Sequence, residues 1–184
     1  MPFALVHGES LVAAASFALE RAGVRLVDFN VPWAALRTEL VEEDRPLVLH
    51  DPLCPLTPPD FVVAAVRECL ASDAVVVGVR PVTDTLKQLE DGPEDGPGDR
   101  LAGATVGATI DRDDYVSVCS PVVLPAAVVA DLVEAPDTDD FAVLVARLRE
   151  GHAVRLLEAP PLARRVTQQA DLPLLEALSA TTAG

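Results

Sequence analysis

An α/β fold is predicted from three observations. Short β-branched runs alternate with Ala/Leu-rich amphipathic stretches, the strand-like runs are apolar at successive positions, and 184 residues suffice for one sizeable core but are short for two. Strands this apolar are buried on both faces, the mark of a mostly parallel sheet with helices on both sides. A single domain over 1–184 is therefore expected.

Each element follows in order. "FALV" (3–6) reads as a first strand, and "ESLVAAASFALERAG" (9–23) as a helix stopped by Gly23. "VRLVDFNV" (24–31) reads as a second strand, "WAALRTELVEED" (33–44) as a helix, and "PLVLH" (46–50) as a third strand. "TPPDFVVAAVRECLAS" (57–72) is a helix with Thr57 at its cap and Pro58 and Pro59 in its first turn, and "AVVVGV" (74–79) is a fourth strand. After Arg80 the pattern changes. "EDGPEDGPGDR" (90–100) can bury nothing, and the alternation in 101–120 suits antiparallel strands, so a hairpin with a solvated loop is expected. Helices return at "PAAVVADLVEA" (125–135) and "DDFAVLVARLREG" (139–151), with a late strand at "AVRLLEA" (153–159) and a closing helix at "LPLLEALSA" (172–180).

Charge narrows the partners. The net charge of −15 repels polyanions, which argues against nucleic acid. No apolar stretch approaches the ~20 residues of a membrane span, and no leader-like pattern opens the chain, so a cytoplasmic protein without a membrane partner is expected. Cys54, Cys69 and Cys119 are far apart without a CxxC pair and read as buried free thiols, not a disulfide or zinc framework.

Within "LVLHDPLCPLTPPDFV" (47–62) an apolar strand stops at His50 and Asp51, and four prolines then fix the direction of the chain. In open α/β sheets ligands meet the carboxyl ends of strands, which makes Asp51 a candidate site residue; an acid at a strand end also serves to cap the following turn.

"HDPLCP" (50–55), "PVTDTLK" (81–87), "TIDR" (109–112) and "SPV" (120–122), taken in order, resemble the 2-C-methyl-D-erythritol 4-phosphate cytidylyltransferase family of the non-mevalonate isoprenoid pathway. In that family a strand ends in HDAARP, a later strand runs into P-V-x-D-T-x-K, and a β-arm leads to T-x-D-R and T-P-Q. "DTDDFAVL" (137–144) and "ARRVTQQADL" (163–172) continue the resemblance. It implies a Rossmann-like nucleotidyltransferase sheet with a β-arm over 81–119. Asp51 becomes the acid beside the metal and the substrate phosphates, with magnesium held weakly and only when a phosphorylated ligand completes its shell. Thr85 and Arg112 reach from the arm toward the substrate of a second subunit, while Ser120, Thr138 and Arg165 grip the phosphorylated ligand with hydroxyls and a guanidinium. A homodimer through the arm is implied, and a mixed dimer with a complete relative is a further expectation.

The departures point away from efficient catalysis. The family's first strand leads into a Gly-rich loop, whereas "FALV" passes through "HGES" into a helix; the base-holding segment expected between Val31 and Pro46 is reduced to "PWAALRTELVEED"; and Cys54 stands where HDAARP has its arginine. A cytidylyltransferase-like protein with impaired or lost transfer is the favoured expectation, with Cys54→Arg expected to improve binding of a phosphorylated ligand. An active transferase of altered substrate and a purely structural or partner-binding dimer are the alternatives.

Overall fold

Alternation along the central strands decides how the layers form. In the computed structural model, which describes residues 1–28, 30–90 and 104–182, strand β4 (Val75–Pro81) sends Val75, Val77 and Val79 to one face of the sheet. There they pack with Leu40 of α2 (Trp33–Glu42), Val128 and Val129 of α4 (Ala126–Asp131), and Leu144 and Leu148 of α5 (Phe141–Gly151). Val76 faces the other way, onto Ala65 and Cys69 of α3 (Pro59–Ser72). β7 (Val116–Leu124) repeats the pattern, with Val122 and Leu124 on the first side and Val123 on the second. Period-two burial on both faces is what the continuous apolar runs required.

The sheet runs in the order β3-β7-β4-β8. β3 (Leu47–Leu49) is antiparallel to β7, with Val48 opposite Val123, and β8 (Val154–Glu158) is parallel to β4, with Val77 opposite Leu156. The sheet is therefore mixed, whereas the sequence predicts a mostly parallel one. Gly78 is needed where β4 passes β7, because a Cβ on it would lie 3.0 Å from the Ser120 carbonyl oxygen.

Two expected strands take other forms. Of 3–6, Leu5–Val6 forms β1, which pairs with β2 (Glu9–Ser10) in its own two-stranded sheet and not in the central one. "HGES" thus belongs to a hairpin whose turn residues His7 and Gly8 have φ of 52° and 82°, as a tight two-residue connection demands. It does not stand where a loop would follow a central strand. The segment 24–28 has no regular structure and joins no ladder among the described residues, and Leu26, Val27 and Val31 are exposed. Its β-branched composition finds no neighbouring strand to pair with, and propensity alone does not make a sheet.

The helices follow the sequence more closely. α1 (Leu11–Arg21) is capped by Ser10, whose hydroxyl accepts from the Ala13 amide. α3 begins at Pro59 with Pro58 as its cap residue; the Thr57 hydroxyl, the cap expected from sequence, instead donates to the Cys54 carbonyl at 2.9 Å. Val6 and Leu11 pack with Val166, Leu172 and Leu175, docking the hairpin and α1 against the C-terminal helix α6 (Leu172–Thr182). His7 fastens the same contact, donating from its amide to Glu176 Oε1 at 2.8 Å and placing Nε2 2.6 Å from Ser179 Oγ.

These elements make up one compact unit, Met1–Arg80 with Val118–Gly184; the other is Pro81–Ser117. In the second, β5 (Leu86–Glu90) and β6 (Thr105–Ile110) pair antiparallel, Leu86 opposite Ile110, with a register shift between Lys87 and Leu89. Most of the acidic Gly/Pro loop expected at 90–100 lies outside the described residues. Among those described, no helix is long and apolar enough to cross a membrane.

Candidate functional site

β3 delivers Asp51 to a buried position at its carboxyl end, where every polar atom of the residue is engaged. Its amide donates to Ser120 Oγ at 2.7 Å, and its carbonyl accepts from the Cys54 amide at 2.8 Å. Carboxylate Oδ1 accepts from the Leu53 amide at 2.8 Å and Oδ2 from Arg165 Nε at 2.6 Å. The Val166 amide then donates to the Leu53 carbonyl at 2.7 Å. A closed ring of bonds results, running from Leu53 to Asp51, to Arg165, to Val166 and back. Ala163 and Val166, both fully buried, anchor the chain on either side of Arg165. Asp171 Oδ2 accepts the amides of Thr167 and Gln168, which hold its carboxyl below the ordinary range and fix the strand of chain just beyond.

The turn that carries the prolines is equally committed. The Cys54 carbonyl accepts from Thr57 Oγ1 and lies 3.2 Å from His50 Nε2. Burial, partly offset by that carbonyl and by Asp51, takes the His50 imidazole down to about 4. The neutral ring donates from Nε2, leaving Nδ1 a buried acceptor with no partner among the described residues. Burial, reinforced by the Asp51 charge, pushes the Cys54 thiol up to about 12. Cys54 is thus a neutral, fully buried group.

Three of the candidate residues, Asp51, Ser120 and Arg165, come together in one bonded cluster. Thr138 shares no hydrogen bond with them; it lines a groove of about 860 Å³ with Trp33, Arg45, Leu49 and His50. Thr85 and Arg112 belong to the hairpin unit, on a depression of about 410 Å³ that also includes Thr109 and Asp111, where Arg112 Nη1 donates to the Thr83 carbonyl at 2.6 Å. The Leu53 amide, which completes the carboxylate's shell, is not singled out by sequence, since nothing in an apolar side chain reports the use of its backbone. Cys69 and Cys119 are buried thiols, as expected, with burial raising both.

The Asp51 donor set does not suit a divalent cation. It offers one carboxylate with both oxygens already accepting bonds, one of them from a guanidinium of the same sign as the ion. His50 is engaged by the Cys54 carbonyl, Cys54 is neutral, and no group of three His, Cys, Asp or Glu side chains able to hold a metal occurs among the described residues.

No family model matches the chain. It is 36% identical over 141 residues to the bifunctional enzyme IspD/IspF of Clavibacter michiganensis, an alignment covering 75% of this chain and 31% of that protein. It is 31% identical over 175 residues to the 2-C-methyl-D-erythritol 4-phosphate cytidylyltransferase of Saccharopolyspora erythraea, covering 88% of this chain and 72% of that one. Of several other curated relatives the chain spans about half the length, 57% for those of Rhodococcus jostii and Corynebacterium diphtheriae. The crystal structure of the Thermus thermophilus cytidylyltransferase aligns with a TM-score of 0.62 at 23% identity, covering 97% of this chain and 93% of that one, which establishes the shared fold. Sequence identity and fold agree: the chain belongs to the 2-C-methyl-D-erythritol 4-phosphate cytidylyltransferase family.

Proposed function

We propose that the chain is a cytidylyltransferase-like protein that binds a phosphorylated polyol, of the kind named for its relatives, at Asp51, Ser120 and Arg165, and that its nucleotidyl transfer is impaired or lost. The observation that carries this reading is the state of Cys54: a buried, neutral thiol stands where the family motif places an arginine, leaving Arg165 as the guanidinium bonded to Asp51. Nucleotidyl transfer depends on cations aimed at the developing phosphate charge, and loss of one preorganised donor commonly costs about 10²-fold or more in rate.

The test pairs two measurements. A thermal-shift panel of sugar phosphates should raise the melting temperature, and pyrophosphate release from CTP with methylerythritol phosphate should stay near background. Robust release abolished by Asp51→Ala would instead support a working transferase, the reading favoured by the 31–35% identity to relatives named as cytidylyltransferases. Failure of every phosphorylated polyol to bind would leave the structural-dimer alternative.

Assembly is part of the proposal. An isolated two-stranded hairpin is marginal in water, and Leu89, Val106 and Tyr115 of the hairpin unit are exposed. We propose that this unit meets a second copy of the chain, or a complete relative in a mixed dimer, where Thr85 and Arg112 would serve the partner's site. Light scattering separates monomer from dimer, and co-expression with a single tag separates homodimer from mixed dimer.

A further inference from the structure

We infer that Arg165 takes the place of a divalent cation at Asp51, so that the site accepts a phosphate oxyanion without metal. The inference deepens the phosphate-binding reading above and rests on it for the identity of the ligand.

The bond geometry carries the argument. A magnesium ion needs near-octahedral oxygen donors, usually one or two carboxylates completed by phosphates and water. At Asp51, Oδ1 is held by the Leu53 amide and Oδ2 by Arg165 Nε. A cation joining Oδ2 would sit beside a fixed positive charge or displace it, and displacement breaks the bonded ring that ties 51–53 to 165–166. The guanidinium already supplies what the metal would: a positive charge locked against the carboxylate.

Exposure shows which partner faces a ligand. The Asp51 side chain is 12% exposed and that of Arg165 42%. Only Nε of Arg165 is bonded among the described residues, leaving Nη1 and Nη2 as donors in the planar arrangement that suits a phosphate. The carboxylate lies behind and orients the fork; an approaching anion meets the guanidinium first. Asp51 is in this sense a positioning residue for Arg165.

The experiment uses the full chain with inorganic phosphate and glycerol phosphate as anion probes and manganese as the metal probe. Phosphate should raise the melting temperature equally in excess EDTA and in excess magnesium. Arg165→Gln should weaken phosphate binding roughly ten-fold or more, and Arg165→Lys should recover part of it. Water-proton relaxation should detect no manganese on the unmodified chain but should detect it on Arg165→Gln, whose Asp51 carboxylate is released; circular dichroism checks that each variant is folded. Manganese bound by the unmodified chain and lost in Asp51→Asn, or a phosphate shift that vanishes in EDTA, overturns the exchange of metal for arginine. Absence of any phosphate response in either buffer overturns the ligand reading itself, while the manganese comparison still decides between arginine and metal.

Discussion

The backbone amide of Asp51 donates to the hydroxyl of Ser120 at 2.7 Å, joining the end of β3 to β7 through a side chain that is fully buried. Ser120→Ala removes the acceptor and strands a buried amide, so a loss of about 1–3 kcal/mol in stability is expected. Urea denaturation would measure it, and an unchanged midpoint would show that the bond contributes nothing.

Gly78 lies against the backbone carbonyl of the same residue. Alanine there brings its Cβ to 3.0 Å from the Ser120 carbonyl oxygen and 3.1 Å from the carbonyl carbon, backbone atoms with little freedom to retreat. Gly78→Ala should cost roughly 1–3 kcal/mol by overpacking. Its effect should be non-additive with Ser120→Ala, because the two sites are in contact. A double-mutant cycle in denaturant reads the coupling; strict additivity would refute it.

His50 makes stability depend on pH in a defined window. Its ordinary value of 6.5 falls to about 4 in the folded chain, so between these values the unfolded chain binds the proton and the folded chain does not. The contribution is full above 6.5, is lost as pH falls from 6.5 toward 4, and amounts to about 3 kcal/mol. His50→Gln should flatten that part of the stability curve, which denaturation at a series of pH values would reveal.

Cys54 should resist alkylation in the native state at mildly alkaline pH, where a thiol held at about 12 is protonated, and should react once the chain is unfolded. Its full burial also reverses the expectation for Cys54→Arg. An arginine has no room or counter-charge there, since the Asp51 carboxylate is already paired with Arg165, and the substitution should cost about 3 kcal/mol or more in place of improving ligand binding. Tighter phosphate binding by a folded Cys54→Arg variant would contradict this.

How much the sequence disclosed depended on whether the physics was local. The two-faced burial of β4 and the proline start of α3 are written in neighbouring residues and appear as expected. The segments 3–6 and 24–31 have strand-like composition, but strands are completed by partners, and the pairing that decides them lies elsewhere in the chain. The motif resemblance singles out Asp51, Ser120 and Arg165, yet the bond between Asp51 and Arg165 spans 114 residues and is invisible in any one stretch. Conversely, the resemblance assigns Cys54 a vacated position without indicating that the turn has closed around it.

Lys87 is the sole lysine of the 184 residues, and its ammonium lies 2.5 Å from Thr109 Oγ1 across the β5–β6 pair. An amine-reactive fluorophore coupled there, under conditions that spare the terminal amine, therefore marks the hairpin unit and leaves the sheet unit dark. Anisotropy of that one label would follow whether the hairpin tumbles freely or is captured by another molecule, giving a direct view of assembly without any engineered residue.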